Sequence, residues 1–286
     1  MTAIFDYGTA FSRNIGWVTE AEQQQLSEKR VAIAGMGGVG GFHLLTLARL
    51  GIQHFHIADL DTFELANFNR QAGATMSSLD QHKAEVLAGM ARDINPNCDI
   101  KIFPQGVHAE NLNEFMAGVD LYVDGLDFFA FRAREDMFRY CSEKRIPATT
   151  VAPLGMSAAL LNFMPGGMSF EEYFQLEGKP EMEKAVRFLI GLAPALLHRP
   201  YLADETRVNL AARKGPSTVM ACSLCAGVAA SEALKILLGR GKVWAAPHGI
   251  QFDGYRNRTA HTWRPGGNRH LINRLAIAIA KRQLGV

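Results

Sequence analysis

Residues 35–40 read GMGGVG, with Gly35, Gly37 and Gly40 in a G-x-G-x-x-G spacing and Gly38 as a fourth glycine. Glycines in that pattern let the backbone approach phosphate oxygens, and a helix starting there aims N–H donors and its positive dipole end at an anion. Asp59 follows nineteen residues after Gly40, where an acid accepts from ribose hydroxyls. A nucleotide is the expected ligand; a loop that serves only helix–strand packing is the alternative. NAD and ATP meet the same physics here, so the loop alone leaves the two open. Arg70, in FNRQ (68–71), and Lys83, in HKAE (82–85), are cations that a dinucleotide dehydrogenase does not need. Taken singly, each reads as a solvated surface charge.

Secondary structure must hold these residues in place. RVAIAG (30–35) reads as a buried parallel strand, GFHLLTLARLG (41–51) as a helix closed by Gly51, and HFHIADLD (54–61) as a second strand ending in acid. That is a βαβ unit. SLDQHKAEVLAGMARDIN (78–95) is expected to be a helix with Ser78 or Asp80 as N-cap. CDIKIF (98–103), DLYVDGLD (120–127) and IPATTVA (146–152) read as strands, and AENLNEFMAG (109–118) and FAFRAREDMFRYCSEKR (129–145) as helices. The alternation predicts an α/β fold, a Rossmann-like, doubly wound, mostly parallel sheet.

After Val151 the pattern changes. SAALLNFMPGG (157–167) reads as a strand, and residues 166–216 as an insertion or lid with a helix near EMEKAVRFLIGLA (181–193). CSLCAGVAASEALKILLG (222–239) is a buried helix stopped by Gly239. GIQFDGYRNRTAHTW (249–263) reads as two strands around a turn, an antiparallel C-terminal extension of the sheet. In the tail helix, Leu271, Leu275 and Ile279 recur at i, i+4, i+8, a stripe expected to dock on the body or on a partner.

GMGGVG, DLDTFELANFNRQ (59–71), HKAE and DGLD (124–127) with a following arginine stand in an order and spacing that resembles the E1-like adenylyltransferases. That family includes the ThiF and MoeB activators of sulfur carriers and the catalytic halves of ubiquitin-activating enzymes. The resemblance is close over residues 11–163 and looser over 222–238. It implies a fold that binds ATP with Mg2+, adenylates a carboxylate and releases pyrophosphate. It implies that Asp59, with Asp61 beside it, serves the ribose end of the nucleotide. It further implies that Asn67, Arg70 and Lys83 hold the triphosphate and that Asp127 organises magnesium. Such a set suits the chemistry: a carboxylate attacking a polyanion needs positioning and charge neutralisation. Arg70 and Lys83 are thereby explained. Asp127 alone would read as a helix N-cap. FSRN (11–14) resembles the family segment whose arginine reaches the ATP of a neighbouring subunit, so Arg13 is expected to act in trans within a homodimer; an ordinary surface arginine is the other reading.

The sequence also departs from the family. Many members bind zinc through two C-x-x-C pairs, whereas this chain has one, Cys222 and Cys225. Four ligands are needed for a closed site, so zinc is not expected and the two cysteines read as small core residues. Cys222 as a nucleophile at a helix N-terminus is the alternative. Phe128 replaces the asparagine that follows the magnesium aspartate, and Asp80 replaces a glycine three residues before the lysine. His54 and His56 share a strand face but lack a third ligand.

Composition sets outer bounds. The 286 residues are 48% hydrophobic and 20% charged, with net charge +2 and four cysteines. That balance predicts a globular protein of a reducing compartment, read as cytoplasmic, with no membrane partner. No signal peptide is read at the N-terminus. The chain is expected to be one adenylation domain over 1–286: a helical arm (1–30), a nucleotide-binding half (31–151), an acceptor-binding half (152–262) with the insertion, and a helical tail (263–286). The expected acceptor is the C-terminal glycine of a small ubiquitin-like or sulfur-carrier protein. A tRNA-borne acid, as in the tRNA threonylcarbamoyladenosine dehydratases, is the runner-up, and the modest charge argues against it. A non-catalytic nucleotide-binding partner and an NAD-dependent oxidoreductase are the remaining alternatives.

Overall fold

The computed structural model describes residues 4–210, 212–213 and 215–284. An eight-stranded sheet runs through it in the order β3-β2-β1-β4-β5-β6-β7-β8. Strands β1 (Arg30–Ala34), β2 (His54–Ala58), β3 (Asp99–Phe103), β4 (Leu121–Asp124) and β5 (Ala148–Leu154) are parallel. Strands β6 (Ser157–Phe163), β7 (His248–Asp253) and β8 (Arg258–Trp263) continue it antiparallel. The expected α/β fold with an antiparallel extension is present. Val31, Ala32, Ile33 and Ala34 of β1 are all buried, because a parallel strand covered on both faces has no solvent side.

Ten helices accompany the sheet among the described residues: α1 (Tyr7–Phe11), α2 (Glu20–Ser27), α3 (Gly40–Arg49), α4 (Lys83–Ile94), α5 (Leu112–Phe115), α6 (Phe131–Lys144), α7 (Phe170–Phe174), α8 (Glu181–Leu192), α9 (Val219–Leu238) and α10 (Leu271–Leu284). Helix α3 follows β1 directly and carries the glycine loop at its start. One core cluster joins α3, α4 and the inner end of α9 to β1 and β2; a second, rich in phenylalanine, joins α6, α7 and α8 to the other face. Phe188 of α8 meets Phe131 of α6 at 5.8 Å, and Lys184 bonds Glu135 at 2.7 Å, so the insertion is packed onto the body.

Three expectations need correction. Helix α4 begins at Lys83, not at Ser78 or Asp80. The Ser78 hydroxyl is engaged with Gly73 O and the Thr75 N–H in a short 3-10 turn, and Asp80 has φ 63°, which a right-handed helix does not admit. Helix α9 starts at Val219, three residues before the expected Cys222. By length and composition it could cross a membrane, yet Ala221, Cys222, Cys225 and Ala229 are buried and the helix packs on β5, β6 and α3. Lastly, of the two docking sites expected for the Leu271–Leu275–Ile279 stripe, the body or a partner, the body is excluded. Asn273 and Ile277 face inward instead, and the stripe is exposed.

Candidate active site

The glycine loop lies at the C-terminal end of β1, the edge where open α/β sheets bind ligands. Gly35 sits at φ +87°, where a side chain would strike the Gly125 carbonyl; a Cβ at Gly40 would overlap the Gly35 carbonyl oxygen. These two glycines draw the start of α3 tight against the β4 loop. Asp59, after β2, holds the loop from the other side. Its Oδ2 accepts from Met36 N at 2.6 Å and its Oδ1 from Asp61 N at 2.8 Å. Burial raises the Asp59 carboxyl above its ordinary pKa, and the two N–H donors work against that rise.

Lys83 is buried, its Nζ 3.0 Å from Asp61 Oδ2, and its charge is felt at Asp59. It is not a solvated lysine. Arg70 lies within 4 Å of where a Gly38 Cβ would stand. Its Nη1 donates to Ala66 O and Asn69 Oδ1, which fixes the guanidinium beside the loop. Asn67 is buried, with Oδ1 accepting from Glu64 N, so it also builds the turn that carries Arg70. Gln71, against Gly37, has a buried Oε1 with no protein partner among the described residues. An unmet acceptor at the loop's edge is what a ligand or water would satisfy.

Asp127 follows β4, and the preceding Gly125 and Leu126 touch Gly35. Its side chain is exposed, and Oδ1 accepts from Phe129 N in a local turn. It is not the N-cap of α6, which starts at Phe131 with Ala130 as cap. A residue that sequence reasoning missed, Arg134, shapes this loop. It forms a buried ion pair with Asp124 at 2.8 Å and donates to the carbonyls of Leu126, Asp127 and Phe128. Phe188 from the insertion lies under its guanidinium at 4.6 Å. The signal was faint, because two arginines share this turn of α6 and Arg132 is the solvated one.

Cys222 is buried in the first turn of α9, its Sγ 3.3 Å from a Gly38 Cβ position. Burial pushes its thiol pKa up, outweighing the nearby Arg70 charge, and Cys225 is raised further for the same reason. The helix N-terminus therefore does not make Cys222 a low-pKa nucleophile. Arg13 lies apart, exposed in the turn after α1, without a hydrogen bond or ion pair to the glycine loop among the described residues. Gly35, Gly37, Gly38, Gly40, Asp59, Asp61, Asn67, Arg70, Lys83 and Asp127 thus converge on one edge, and Arg13 does not.

The sequence profile of the ThiF family matches residues 11–271, most of the chain. The chain belongs to the ThiF family. This is the E1-like group that its motifs resemble. Within it, the tRNA threonylcarbamoyladenosine dehydratase of Escherichia coli (strain K12) is 31% identical over 137 residues, 48% of this chain and 50% of that protein. The sulfur carrier protein ThiS adenylyltransferase of the same strain is 29% identical over 143 residues, 50% of this chain and 56% of that protein. The chain thus spans about half the length of the curated ThiF-family relatives it matches. Among solved structures, Escherichia coli MccB with ATP superposes with TM-score 0.66 at 17% identity, covering 88% of this chain and 70% of that one. At that identity the likeness concerns the fold.

Proposed function

We propose that the protein is an ATP- and magnesium-dependent adenylyltransferase that activates a carboxylate as its acyl-adenylate. The observation that carries the reading is the placement of two fixed cations beside the glycine loop, Arg70 against Gly38 and Lys83 on the Asp61–Asp59 side, with the exposed carboxylate of Asp127 after the neighbouring strand. An NAD site has no use for that arrangement. The donor set fits the nucleotide: loop N–H groups and the α3 N-terminus for phosphate, Arg70 and Lys83 for the triphosphate charge, Asp59 for the ribose. Magnesium would have Asp127 as its protein ligand, with phosphate and water completing a shell that rarely comes from protein alone. When bound, it would neutralise phosphate charge.

The chain's residues act by position. Arg70 and Lys83 draw negative charge away from the α-phosphorus as the acceptor carboxylate adds and pyrophosphate leaves. Arg134 holds the Asp127 loop in place, and Asp59 fixes the glycine loop through Met36. Arg13 would complete the site from a second copy. Asp80 bears on whether the site is alive. Its φ of 63° is the left-handed conformation that explains a glycine in relatives, and Asp is among the residues that tolerate it. The substitution keeps the backbone path into Lys83. Phe128 packs its ring against Phe131 and Phe188 in the aromatic core. Neither departure supports a non-catalytic reading.

The acceptor we favour is the C-terminal carboxylate of a small ubiquitin-like or sulfur-carrier protein. A tRNA-borne acid is the second reading, supported by relatives named tRNA threonylcarbamoyladenosine dehydratase at 28–31% identity. ATP–pyrophosphate exchange by purified protein, with and without a desalted lysate, tests the proposal. Exchange that needs lysate and vanishes in Asp127→Ala is expected, and protease or RNase treatment of the lysate separates the acceptors. Full exchange in Arg70→Ala, Lys83→Ala and Asp127→Ala alike refutes it.

A further inference from the structure

Helix α10 is held with one side fixed to the body. Asn273 accepts from Arg264 Nε and donates toward Gly267 O; Ile277 packs with Val186 and Ile190; Lys281 bonds Glu183 of α8 at 2.6 Å. Those contacts set the rotation of the helix. Leu271, Ile272, Leu275 and Ile279 consequently face out, 76%, 54%, 63% and 48% exposed. At about 100° per residue they fall within an arc of roughly a quarter of the helix circumference. A contiguous aliphatic stripe on a surface marks a contact, whereas scattered exposed leucines do not.

Along its own segment the stripe's charge is one-sided, the one acid reaching it from elsewhere being Glu183 of α8, paired to Lys281. From residue 254 to 284 there are seven Lys and Arg and no Asp or Glu, although the whole chain is only +2. The rest of the molecule is therefore net negative. Arg274 borders the stripe, Arg282 stands at its C-terminal end and Arg269 at its foot, all exposed. Trp263, the last residue of the edge strand β8, is 60% exposed a few residues upstream.

From this geometry we infer that α10 is an interfacial helix that lays its aliphatic stripe into an anionic membrane surface. A helix with exposed aliphatics and flanking arginines gains from both acyl-chain burial and anionic headgroups, and tryptophan favours the same boundary. A second copy fits less well, because twofold pairing of this face would set Arg274 and Arg282 against their own copies with no carboxylate to meet them. Nucleic acid fits less well, because it uses the cations and wastes the aliphatics. The stripe also stands on one helix. Its main neighbours, α8 and the turn Gly267–Arg269, lie on the buried side, so no groove is formed for a partner helix among the described residues. The proposal does not depend on the adenylation reading.

Sedimentation of the full chain with phosphatidylcholine vesicles, with and without phosphatidylglycerol, tests it. Binding is expected only with phosphatidylglycerol and should weaken in high salt. Leu275→Asp/Ile279→Asp and, separately, Arg274→Glu/Arg282→Glu should each lower the bound fraction at least tenfold. Both pairs are exposed and distant from the glycine loop, so unchanged thermal unfolding is expected and excludes misfolding as the cause. Absence of wild-type binding overturns the proposal. Binding that survives both double variants also overturns it. A dimer by light scattering that Leu275→Asp/Ile279→Asp dissociates, in a protein that ignores vesicles, would assign the stripe to a second copy instead.

Discussion

Replacing Arg134 with methionine should damage the protein through a carboxylate it leaves behind. Asp124 and Arg134 are 2% and 3% exposed, and the guanidinium supplies the only charge opposing Asp124 at hydrogen-bond distance among the described residues. Without it Asp124 keeps the Leu126 N–H at 3.2 Å and a marginal contact with the Tyr122 hydroxyl. Removing one partner of a buried pair costs about 3–5 kcal/mol, because the remaining charge is desolvated and unmatched. That is a large share of the roughly 5–15 kcal/mol that separates a folded domain from its unfolded chain. The double variant Asp124→Asn/Arg134→Met removes the stranded charge and should recover about half the loss or more. Urea unfolding of wild type, both singles and the double closes the cycle. Arg134→Lys should not rescue, since one ammonium cannot span a carboxylate and three carbonyls. ATP affinity should fall in Arg134→Met even where the protein remains folded, as the Asp127 loop loses its anchor. A loss below about 1 kcal/mol, or a double variant no more stable than Arg134→Met, would refute this account.

Other outcomes are equally open to measurement. His43 is buried on α3 with neither ring nitrogen bonded among the described residues, and burial depresses its pKa to about 3. The unfolded chain therefore takes the proton first as pH falls below about 6.5, and stability drops toward pH 3, by about 2 kcal/mol at pH 5. His43→Leu should flatten that slope in urea titrations at pH 7 and pH 5; parallel slopes would argue otherwise. Cys222, with its raised pKa, should react with iodoacetamide far more slowly in the native than in the unfolded protein, and Cys222→Ser should keep pyrophosphate exchange. Fast native labelling would point to a reactive thiol. At Asp80, glycine should be tolerated within about 0.5 kcal/mol, while valine in that left-handed backbone should cost about 1–3 kcal/mol in thermal unfolding. Equal stability of the two variants would contradict the backbone argument.

The glycine loop was legible because close backbone approach leaves a signature in residue type: nothing but glycine fits at 35 and 40. The parallel strands were legible as unbroken apolar runs. The start of α4 was not, because Ser78 and Asp80 are both good caps by chemistry, and a turn that competes for Ser78 depends on Gly73 being near in space. Burial of Lys83 and Arg134 was hidden for a related reason. A charged residue on a helix is solvated unless a partner from another element reaches it, and Asp61 and Asp124 are brought there by the fold. In α10 the period gave the correct helix and a correct stripe but left open whether that stripe docks on the body, which it does not. Asn273 and Arg264 decide the rotation, and an asparagine is not what periodicity assigns to the buried face.

The aromatic face beneath Arg134 bears on how such chains can be recombined. Phe188 belongs to the insertion, and the guanidinium it supports fixes three carbonyls of the Asp127 loop. Residues 166–216 are therefore not an exchangeable cassette. A chimera that grafted a different segment without an aromatic side chain at that spot would keep every motif residue in sequence and still unsettle the Asp127 loop. Whatever presses on α8 from outside pushes on the same ring.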